Sequence, residues 1–331
     1  MQKYAPLVAF FSTWFLLKMI SRTAFFYSVK DIPNERSLHV KPVLRVGGLG
    51  IMLGVVLACA TQERHVIWFV LPPTLLLCVV SFIDDWRGLS ASWRLLTHLV
   101  AACIFLILAD FSAHGLPLGV LLIFAIIWMT NVFNFMDGAD GLAGGMALIG
   151  FSTYGVVSLI HDDVALALLN FTVASASLAF LFYNFSPARI FMGDAGSIPL
   201  GFLASVMGMI GWSRGHWPFW FPILVFSPFI VDASVTLVNR VIRGDKITQA
   251  HKEHYYQRLI RMGWGHRKTA IAEYLFMAGA GSSAVWGATF STGWQVGLLV
   301  VWIAIYLVVL CIIDVGWRNY SLNNSATTKQ V

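Results

Sequence analysis

The sequence has little charge. Only 11% of its 331 residues are Asp, Glu, Lys or Arg, whereas a typical soluble domain carries about 25%. Hydrophobic residues make up 58% of the chain. This composition excludes an ordinary soluble globular protein and predicts a protein that crosses a membrane several times.

Cysteine is also scarce. The four cysteines, at positions 59, 78, 103 and 311, all lie inside apolar runs and have no paired or metal-like spacing. We therefore expect no disulfide framework. Low-complexity segments and clear internal repeats are absent as well. We predict a single membrane domain that spans residues 1–331.

Apolar runs long enough to cross a bilayer, which takes about 20 residues, recur along the whole chain. We predict an all-α polytopic integral membrane protein with eleven spans, of which the second and eighth are short. The predicted spans are residues 4–20, 46–60, 66–83, 95–109, 117–133, 143–160, 164–184, 198–212, 217–238, 270–289 and 294–315.

The distribution of cations predicts the orientation. With the N-terminus outside and the spans alternating, 19 of the 22 Lys and Arg residues fall in inside loops. This asymmetry fits the positive-inside rule. The net charge of +6 is then a topology signal, and we expect no nucleic-acid partner.

Polar residues interrupt the apolar pattern most clearly at residues 131–145. Asn131, Asn134, Asp137 and Asp140 follow one another at intervals of three residues, and the glycines among them break a regular helix. This pattern predicts a helix that ends in a bent turn and presents amide and carboxylate oxygens together. Such oxygens suit a hard cation or a nucleotide, although a plain polar Asp-Gly turn would have the same sequence.

Two further inside loops carry carboxylates at the ends of apolar runs. Asp84 and Asp85 close the third predicted span, and Asp194 stands between two glycines before the eighth. Carboxylates at span ends are costly unless they face water or a cation. Because Mg²⁺ binds one or two carboxylates together with water and substrate phosphates, we predict a site for a metal-bound diphosphate on the inside face.

The longest inside loop, residues 240–268, holds eight Lys and Arg residues and three histidines. His251 and His254 have the spacing of a zinc pair, but no third ligand of that kind is adjacent. Anion binding is the preferred functional interpretation, and a solvated basic loop is the alternative. Asp232, in the span before this loop, has either Arg240 or a polar group near the substrate as its expected partner.

Together these motifs resemble the cytosolic signatures of the polyprenyl-phosphate N-acetylhexosamine-1-phosphate transferases, in the bacterial branch that begins O-antigen or related surface polysaccharide synthesis. The resemblance covers nearly the whole chain. It rests on Asp84 and Asp85 and on the segments 131–145, 191–197 and 251–259, with residues 31–48 similar to the first cytosolic loop.

The resemblance implies an enzyme of the bacterial inner membrane with its active site on the cytoplasmic face. It would transfer an N-acetylhexosamine 1-phosphate from a UDP-N-acetylhexosamine to undecaprenyl phosphate and release UMP. The implied cofactor is Mg²⁺, for which Mn²⁺ could substitute. The sequence leaves the sugar, the oligomeric state and the choice between direct attack and a covalent intermediate open.

The resemblance also implies roles for single residues. Asp194 and Asp85 would be metal ligands. Asp84 and Asp85 would serve the metal and the attacking lipid phosphate, one of them as a candidate base, while Asp137 and Asp140 would hold the nucleotide and the metal shell. The implied substrate-binding residues are Asn131, Asn134, Arg94, His251, His254 and Arg258.

Two other classes of protein share parts of this pattern. An intramembrane prenyltransferase also places aspartates and Mg²⁺ on an inner face, but it carries spaced Asp-rich runs, and here no third Asp follows Asp84 and Asp85. An ion-coupled transporter places its charges at the membrane midplane. Only Asp232 suits that arrangement.

Overall fold

The computed structural model describes residues 2–23, 29–31, 42–62, 64–111, 115–246 and 251–328. Most of these residues are helical. The helices are α1 (Ala5–Ile20), α2 (Gly47–Cys59), α3 (Arg64–Arg87), α4 (Ala91–Leu108), α5 (Leu116–Phe135), α6 (Leu142–Ile160), α7 (Val164–Asn184), α8 (Asp194–Ser213), α9 (Trp220–Val225), α10 (Ser227–Ile242), α11 (Tyr255–Leu259), α12 (Gly265–Gly287) and α13 (Thr292–Thr328). The strands are β1 (Lys30–Asp31), β2 (Val43–Arg45) and β3 (Ile190–Phe191).

Every predicted span overlaps one of these helices. Within the described residues, seven helices, α3 to α8 and α13, are long and apolar enough to cross a membrane by length and composition. This confirms a multi-pass membrane protein. The remaining predicted spans fall on α1, α2, α9 with α10, and α12, which are shorter or more polar. The count of eleven spans and the side of each loop stay predictions.

The ninth predicted span, residues 217–238, is two helices rather than one. Helix α9 ends at Val225, Phe226 leaves the helical conformation, and α10 begins at Ser227. Pro228 lies in the first turn of α10, where its missing N–H and fixed φ are tolerated, but it could not continue an unbroken helix. The break also displaces the end of the span, because α10 continues to Ile242.

Helix α8 lies at the centre of the bundle and is almost completely buried. It packs against α2, α3 and α5. At the crossing with α2 the two backbones touch, since a Cβ added to Gly48 would lie 2.0 Å from the backbone nitrogen of Gly196. Small residues allow this approach between helices in a membrane. The crossing fixes the first turn of α8, which carries Asp194.

A small sheet at the same end of the bundle was not predicted. Strand β2 pairs antiparallel with β1 and parallel with β3, with Leu44 opposite Ile190 and Arg45 opposite Phe191. The fold is therefore mainly helical rather than wholly α. Each strand has only two or three residues, too few for a period-two pattern to be read from sequence. The sheet carries Arg45 next to the loop before α8.

Helix α13 is longer than the predicted span 294–315. Its 37 residues correspond to about 55 Å, more than the roughly 30 Å of a bilayer core. A helix of this length is therefore longer than the membrane core is thick, and α11 packs against it. Cys311 is exposed on this helix, and all four cysteines are free thiols.

Candidate active site

Four carboxylates meet where α3 and α5 end and α8 begins. Asp84 and Asp85 lie in the last turn of α3, Asp137 follows α5, and Asp194 is the first residue of α8. They come together because α8 packs against both α3 and α5. We call Asp84, Asp85, Asp137 and Asp194 the acid cluster.

Asp85 is held against the first turn of α8. Its Oδ2 atom accepts a hydrogen bond from the backbone N–H of Ala195 at 3.0 Å, and its side chain is 1% exposed. Gly193 makes room for it: with φ at +72°, a Cβ at this residue would lie 2.8 Å from Asp85 Oδ2. A side chain at residue 193 would thus be strained and would displace the carboxylate.

Asp194 has two polar neighbours on its own side of the cluster. Asn134 Nδ2 donates to Asp194 Oδ1 at 2.9 Å and to Ser197 Oγ at 3.1 Å. Asn134, a predicted substrate-binding residue, thus contacts Asp194, a predicted metal ligand. Asn134 therefore orients the Asp194 carboxylate while leaving its Oδ2 atom for another partner.

Two arginines bridge the acids. Arg94 Nη1 lies 3.6 Å from Asp84 Oδ2 and 3.7 Å from Asp194 Oδ2. Arg45 Nη1 lies 3.9 Å from Asp85 Oδ1, and its Nη2 atom lies 3.3 Å from Asp31. The buried Nε atom of Arg94 has no hydrogen-bond partner among the described residues. Acids and cations thus alternate around one site.

The cluster carries more negative charge than its cations neutralise. Burial, together with the charges of Asp194 and Asp85, raises the pKa of Asp137 well above its ordinary value, although Arg45 opposes the rise. Like charges at close range make ionisation of every acid unfavourable. A bound cation would relieve this repulsion.

Asp140 contacts Ala188 and His266 rather than the acid cluster. Asp140 Oδ2 accepts from the backbone N–H of Ala188 at 3.1 Å, and its Oδ1 atom lies 3.4 Å from His266 Nδ1. The backbone N–H of Asp140 also donates to His266 Nδ1 at 3.1 Å. Asp140 therefore connects the loop after α5 to the loop after α7 and to the first turn of α12.

Asn131 lies one turn before Asn134 on α5. Its Nδ2 atom donates to the carbonyl of Ile127 at 2.7 Å and lies 3.5 Å from Nδ1 of the buried His98 on α4. This position places Asn131 beside the cluster rather than on one of its acids. A histidine within an apolar helix is a signal for function or for a buried polar pair.

His254 of the basic loop is buried. Its Nδ1 atom lies 3.0 Å from Asp232 Oδ1, and its ring stacks against Phe135 and Tyr256. The hydroxyl of Tyr256 donates to the carbonyl of Phe135 at 3.1 Å. The start of α11 is in this way fastened to the end of α5, next to Asp137.

His251 packs beside His254, with 5.0 Å between the ring centres. Burial and the neighbouring His254 and Arg240 lower the pKa of His251 to about 4. His251 is therefore neutral at pH 7. It would act toward a substrate as a hydrogen-bonding group rather than as a cation.

Arg258 contacts α13 and its own loop. Its Nη1 atom donates to Asp314 Oδ1 of α13 at 2.6 Å, and its Nε atom donates to the carbonyl of Glu253 at 2.8 Å. Its guanidinium also lies over the ring of Tyr255. These contacts bind the basic loop to α13, so Arg258 supports the loop in this conformation.

Several residues outside the predicted set complete the site. They lie in segments that the sequence marks as motifs or as polar positions in apolar helices, but their partners depend on how the helices pack. These residues are Arg45, His98, Ser197 and His266.

The fold and the acid cluster define a multi-pass membrane protein with an oxygen-rich, arginine-bridged site at its helix ends. A sequence model of the family described as "Glycosyl transferase family 4" matches residues 67–211. This range holds all four acids of the cluster but ends before Asp232 and the basic loop.

Curated proteins match more of the chain. A probable undecaprenyl-phosphate N-acetylglucosaminyl 1-phosphate transferase of Bacillus subtilis is 31% identical over 82% of this chain and 80% of its own length. A decaprenyl-phosphate N-acetylglucosaminephosphotransferase of Mycolicibacterium smegmatis is 28% identical over 82% of this chain and 78% of its own. A phospho-N-acetylmuramoyl-pentapeptide-transferase of Staphylococcus epidermidis is 25% identical over 91% and 98%.

The chain therefore belongs to glycosyl transferase family 4. Within that family it is a phosphoglycosyltransferase, an enzyme that transfers a hexosamine 1-phosphate to a polyprenyl phosphate.

Proposed function

We propose that the protein transfers an N-acetylhexosamine 1-phosphate from a UDP-N-acetylhexosamine to undecaprenyl phosphate, releasing UMP. The product would be the first lipid-linked intermediate of O-antigen or a related surface polysaccharide. The observation that carries the proposal is the acid cluster, in which Arg94 lies between Asp84 and Asp194 and Arg45 approaches Asp85. The Bacillus subtilis relative is named for an undecaprenyl-phosphate reaction.

The proposed reaction exchanges one phosphorus–oxygen bond for another. An oxygen of the lipid phosphate forms a bond to the phosphorus next to the sugar, and the bond from that phosphorus to the UMP oxygen breaks, leaving its electron pair on UMP. The attacking oxygen is already anionic at pH 7, so a general base has little to contribute. Charge repulsion between the two substrates is the larger barrier, and fixed cations lower it.

Arg94 and Arg45 are the cations placed to reduce that repulsion. Each already lies 3.6–3.9 Å from one or two carboxylates of the cluster. A substrate phosphate could replace a carboxylate as their partner, since guanidinium groups bind phosphate well. The Nε atom of Arg94 is buried and has no hydrogen-bond partner among the described residues, so a small shift of the side chain would make it a further donor.

The donor set also fits Mg²⁺. No group of three or more His, Cys, Asp or Glu side chains within the described ranges forms a ready-made metal cage. Mg²⁺ does not need one, because it binds through one or two carboxylates and completes its shell with water and phosphate oxygens. Asp194 and Asp85 would hold the ion, which would neutralise the donor diphosphate. Asn134 and the Ala195 N–H would orient these two carboxylates.

An apolar cavity suits the acceptor's isoprenoid chain. It has a volume of about 240 Å³ and is lined by α5, α6, α8, α9 and α10, with Trp128, Phe226 and Ile230 among its residues. Trp128 lies less than one turn before Asn131 on α5. A chain in this cavity would bring its phosphate toward the acid cluster from within the bilayer.

We place the site on the cytoplasmic face of the bacterial inner membrane. The inside loops of the predicted topology hold 19 of the 22 Lys and Arg residues, and the positive-inside rule assigns such loops to the cytoplasm. A nucleotide-activated sugar would reach the acid cluster from this side.

The decisive test is a product assay with the purified protein, undecaprenyl phosphate, Mg²⁺ and a panel of UDP-N-acetylhexosamines. We expect UMP and a lipid-linked sugar diphosphate in equal amounts, and about 100- to 1,000-fold less of both with Asp194→Asn. A prenyltransferase would release inorganic diphosphate from a prenyl diphosphate. Release of UMP without lipid product, or no reaction with any UDP-sugar of the panel, would contradict the proposal.

A further inference from the structure

A second cavity, of about 410 Å³, opens between α10, α11, α12 and α13. Its volume lies within the range of about 300–1,000 Å³ that is usual for small-molecule sites. Most of its wall is apolar, and Leu259, Phe276 and Leu310 are typical lining residues. None of the acid cluster lines it, so this cavity is separate from the site described above.

Of the carboxyl and hydroxyl groups in its wall, all but one have partners among the described residues. Asp232 accepts hydrogen bonds from the backbone N–H groups of Tyr255 and Tyr256 and contacts His254. The hydroxyl of Tyr306 lies 2.6 Å from Ser227 Oγ. Among the described residues, the carboxyl of Glu273 makes neither a hydrogen bond nor an ion pair. The cavity thus offers one free acid in an apolar wall.

The position of Glu273 makes this free acid unusual. It lies eight residues after the start of α12 at Gly265, or about 12 Å along the helix, and three residues inside the predicted span 270–289. A carboxyl at membrane depth ordinarily has a partner or a ligand. The other carboxyl in the wall belongs to Asp232, and a cation in the cavity would interact favourably with both groups.

We propose that this cavity binds an amphipathic amine. Its ammonium group would donate hydrogen bonds to Glu273, and its hydrocarbon tail would lie against Phe276, Leu310 and the other apolar residues of the wall. A single free acid surrounded by apolar surface matches a ligand with one compact cation on an apolar body. The aromatic ring of Trp264, which also lines the cavity, suits an ammonium group as well.

The test compares two photo-reactive probes of equal chain length, a dodecylamine and a dodecanol derivative. The full-length protein is placed in phosphatidylcholine vesicles, whose headgroup cation has no N–H donor, and the labelled peptides are identified by mass spectrometry. We expect the amine to label the cavity segments of α12 and α13 about tenfold more than the alcohol. This is about the difference in affinity that one charge-assisted hydrogen bond contributes. Glu273→Gln should abolish this preference.

Two further variants complete the design. Asp162→Asn removes an exposed acid in the turn between α6 and α7 and should leave the preference intact. Gly316→Leu should reduce labelling of the cavity by both probes, because a side chain there enters the cavity from α13. A Cβ at Gly316 would lie 3.5 Å from Met262 Sδ, an ordinary contact, so we expect this variant to fold.

Equal labelling by the two probes in the unsubstituted protein would overturn the proposal, as would an unchanged amine preference in Glu273→Gln. If Glu273→Gln does not fold, competition in the unsubstituted protein decides. Unlabelled dodecylamine should then displace the amine probe at about tenfold lower concentration than dodecanol. Equal displacement by both would refute the proposal. Since the readout is binding, the result does not depend on the proposed transferase reaction.

Discussion

His254 Nδ1 lies 3.0 Å from Oδ1 of Asp232, a residue 22 positions earlier on α10. The same carboxylate accepts hydrogen bonds from the backbone N–H groups of Tyr255 at 3.0 Å and Tyr256 at 2.9 Å. Asp232, which lies on α10, therefore caps the N-terminus of α11 by accepting hydrogen bonds from its first backbone N–H groups. We expected either Arg240 or a polar group near the substrate as the partner of Asp232. The prediction of Arg240 is wrong, because Arg240 donates a hydrogen bond to Glu253 instead.

This relationship predicts that Asp232 positions the basic loop. In Asp232→Asn the loop keeps its sequence but loses charge-assisted bonds, each contributing about 1.5–3 kcal/mol. We expect the KM for the UDP-sugar to rise about ten- to a hundredfold and the KM for the lipid acceptor to change little. Steady-state kinetics with each substrate varied in turn provide the measurement.

Asp314→Asn is the matched control, since Asp314 holds the other side of the loop through Arg258 and Tyr255 but is half-exposed. Its effect on the donor KM should be smaller. Asp232→Glu should restore part of the donor affinity. Equal losses for donor and acceptor in Asp232→Asn would indicate a general folding defect instead.

The sequence predicts the helices and the residue types of the site better than it predicts contacts. Apolar run length identifies spans, and acids at the ends of those runs identify Asp84, Asp85, Asp137 and Asp194. Asp140 belongs to the same motif as Asp137, yet it contacts His266. Which of two nearby acids faces the cluster depends on the bent turn at residues 136–141, whose conformation a residue pattern does not specify.

Partners distant in sequence are the harder part. Asp232 and His254 are separated by a loop, and the choice between Arg240 and His254 depends on where α10 ends. The parallel pairing of Arg45 with Phe191 joins segments 146 residues apart through two short strands. Such contacts follow from helix packing, which one sequence does not reveal.

The carboxylates of the acid cluster provide the second prediction. Asp194→Asn, Asp84→Asn and Asp85→Asn each remove a charge at nearly constant volume. We expect each to lower turnover by about 100- to 1,000-fold, as loss of a preorganised charged group in an active site does. Unfolding midpoints in detergent should stay near that of the unsubstituted protein. Near-normal rates in any two of the three would show that these acids are structural.

A third prediction concerns pH and Asp137. The pKa of Asp137 is raised in the folded protein, whereas in the unfolded chain it is about 3.9. At pH values between these two, the carboxyl is ionised in the unfolded chain and protonated in the folded protein, so folding takes up a proton. Stability should therefore be greatest at low pH with respect to this group and should fall as pH rises through the folded pKa.

Asp137→Asn removes this dependence. We expect the variant to unfold at a higher temperature than the unsubstituted protein at pH 8, and the difference to shrink as pH falls toward 4. Thermal unfolding followed by circular dichroism at several pH values measures it, with the exposed Asp162→Asn as the control. A variant that is less stable at pH 8 would contradict the prediction.

The orientation of the chain is the fourth prediction. In a variant without the four native cysteines, a membrane-impermeant maleimide added outside intact cells should label Asp162→Cys and should not label Ala188→Cys or Ile260→Cys. Breaking the cells should expose the latter two. Labelling of residue 188 or 260 from outside would refute the predicted topology.

The fifth prediction concerns the basic loop, residues 240–268, as the part that selects the donor. His251 lies beside His254 and is neutral at pH 7, since burial and neighbouring cations lower its pKa to about 4. His251→Ala should therefore raise the donor KM by about five- to tenfold, the effect of losing one neutral hydrogen bond of about 1 kcal/mol or slightly more. Because no charge is lost, the ratio of the donor KM of the variant to that of the unsubstituted protein should be constant from pH 6 to 8.

Replacing the loop with that of a relative that uses another N-acetylhexosamine should change the preferred UDP-sugar. If His251→Ala retains full activity and the exchanged loop leaves the sugar preference unchanged, the loop serves only to orient the protein in the membrane.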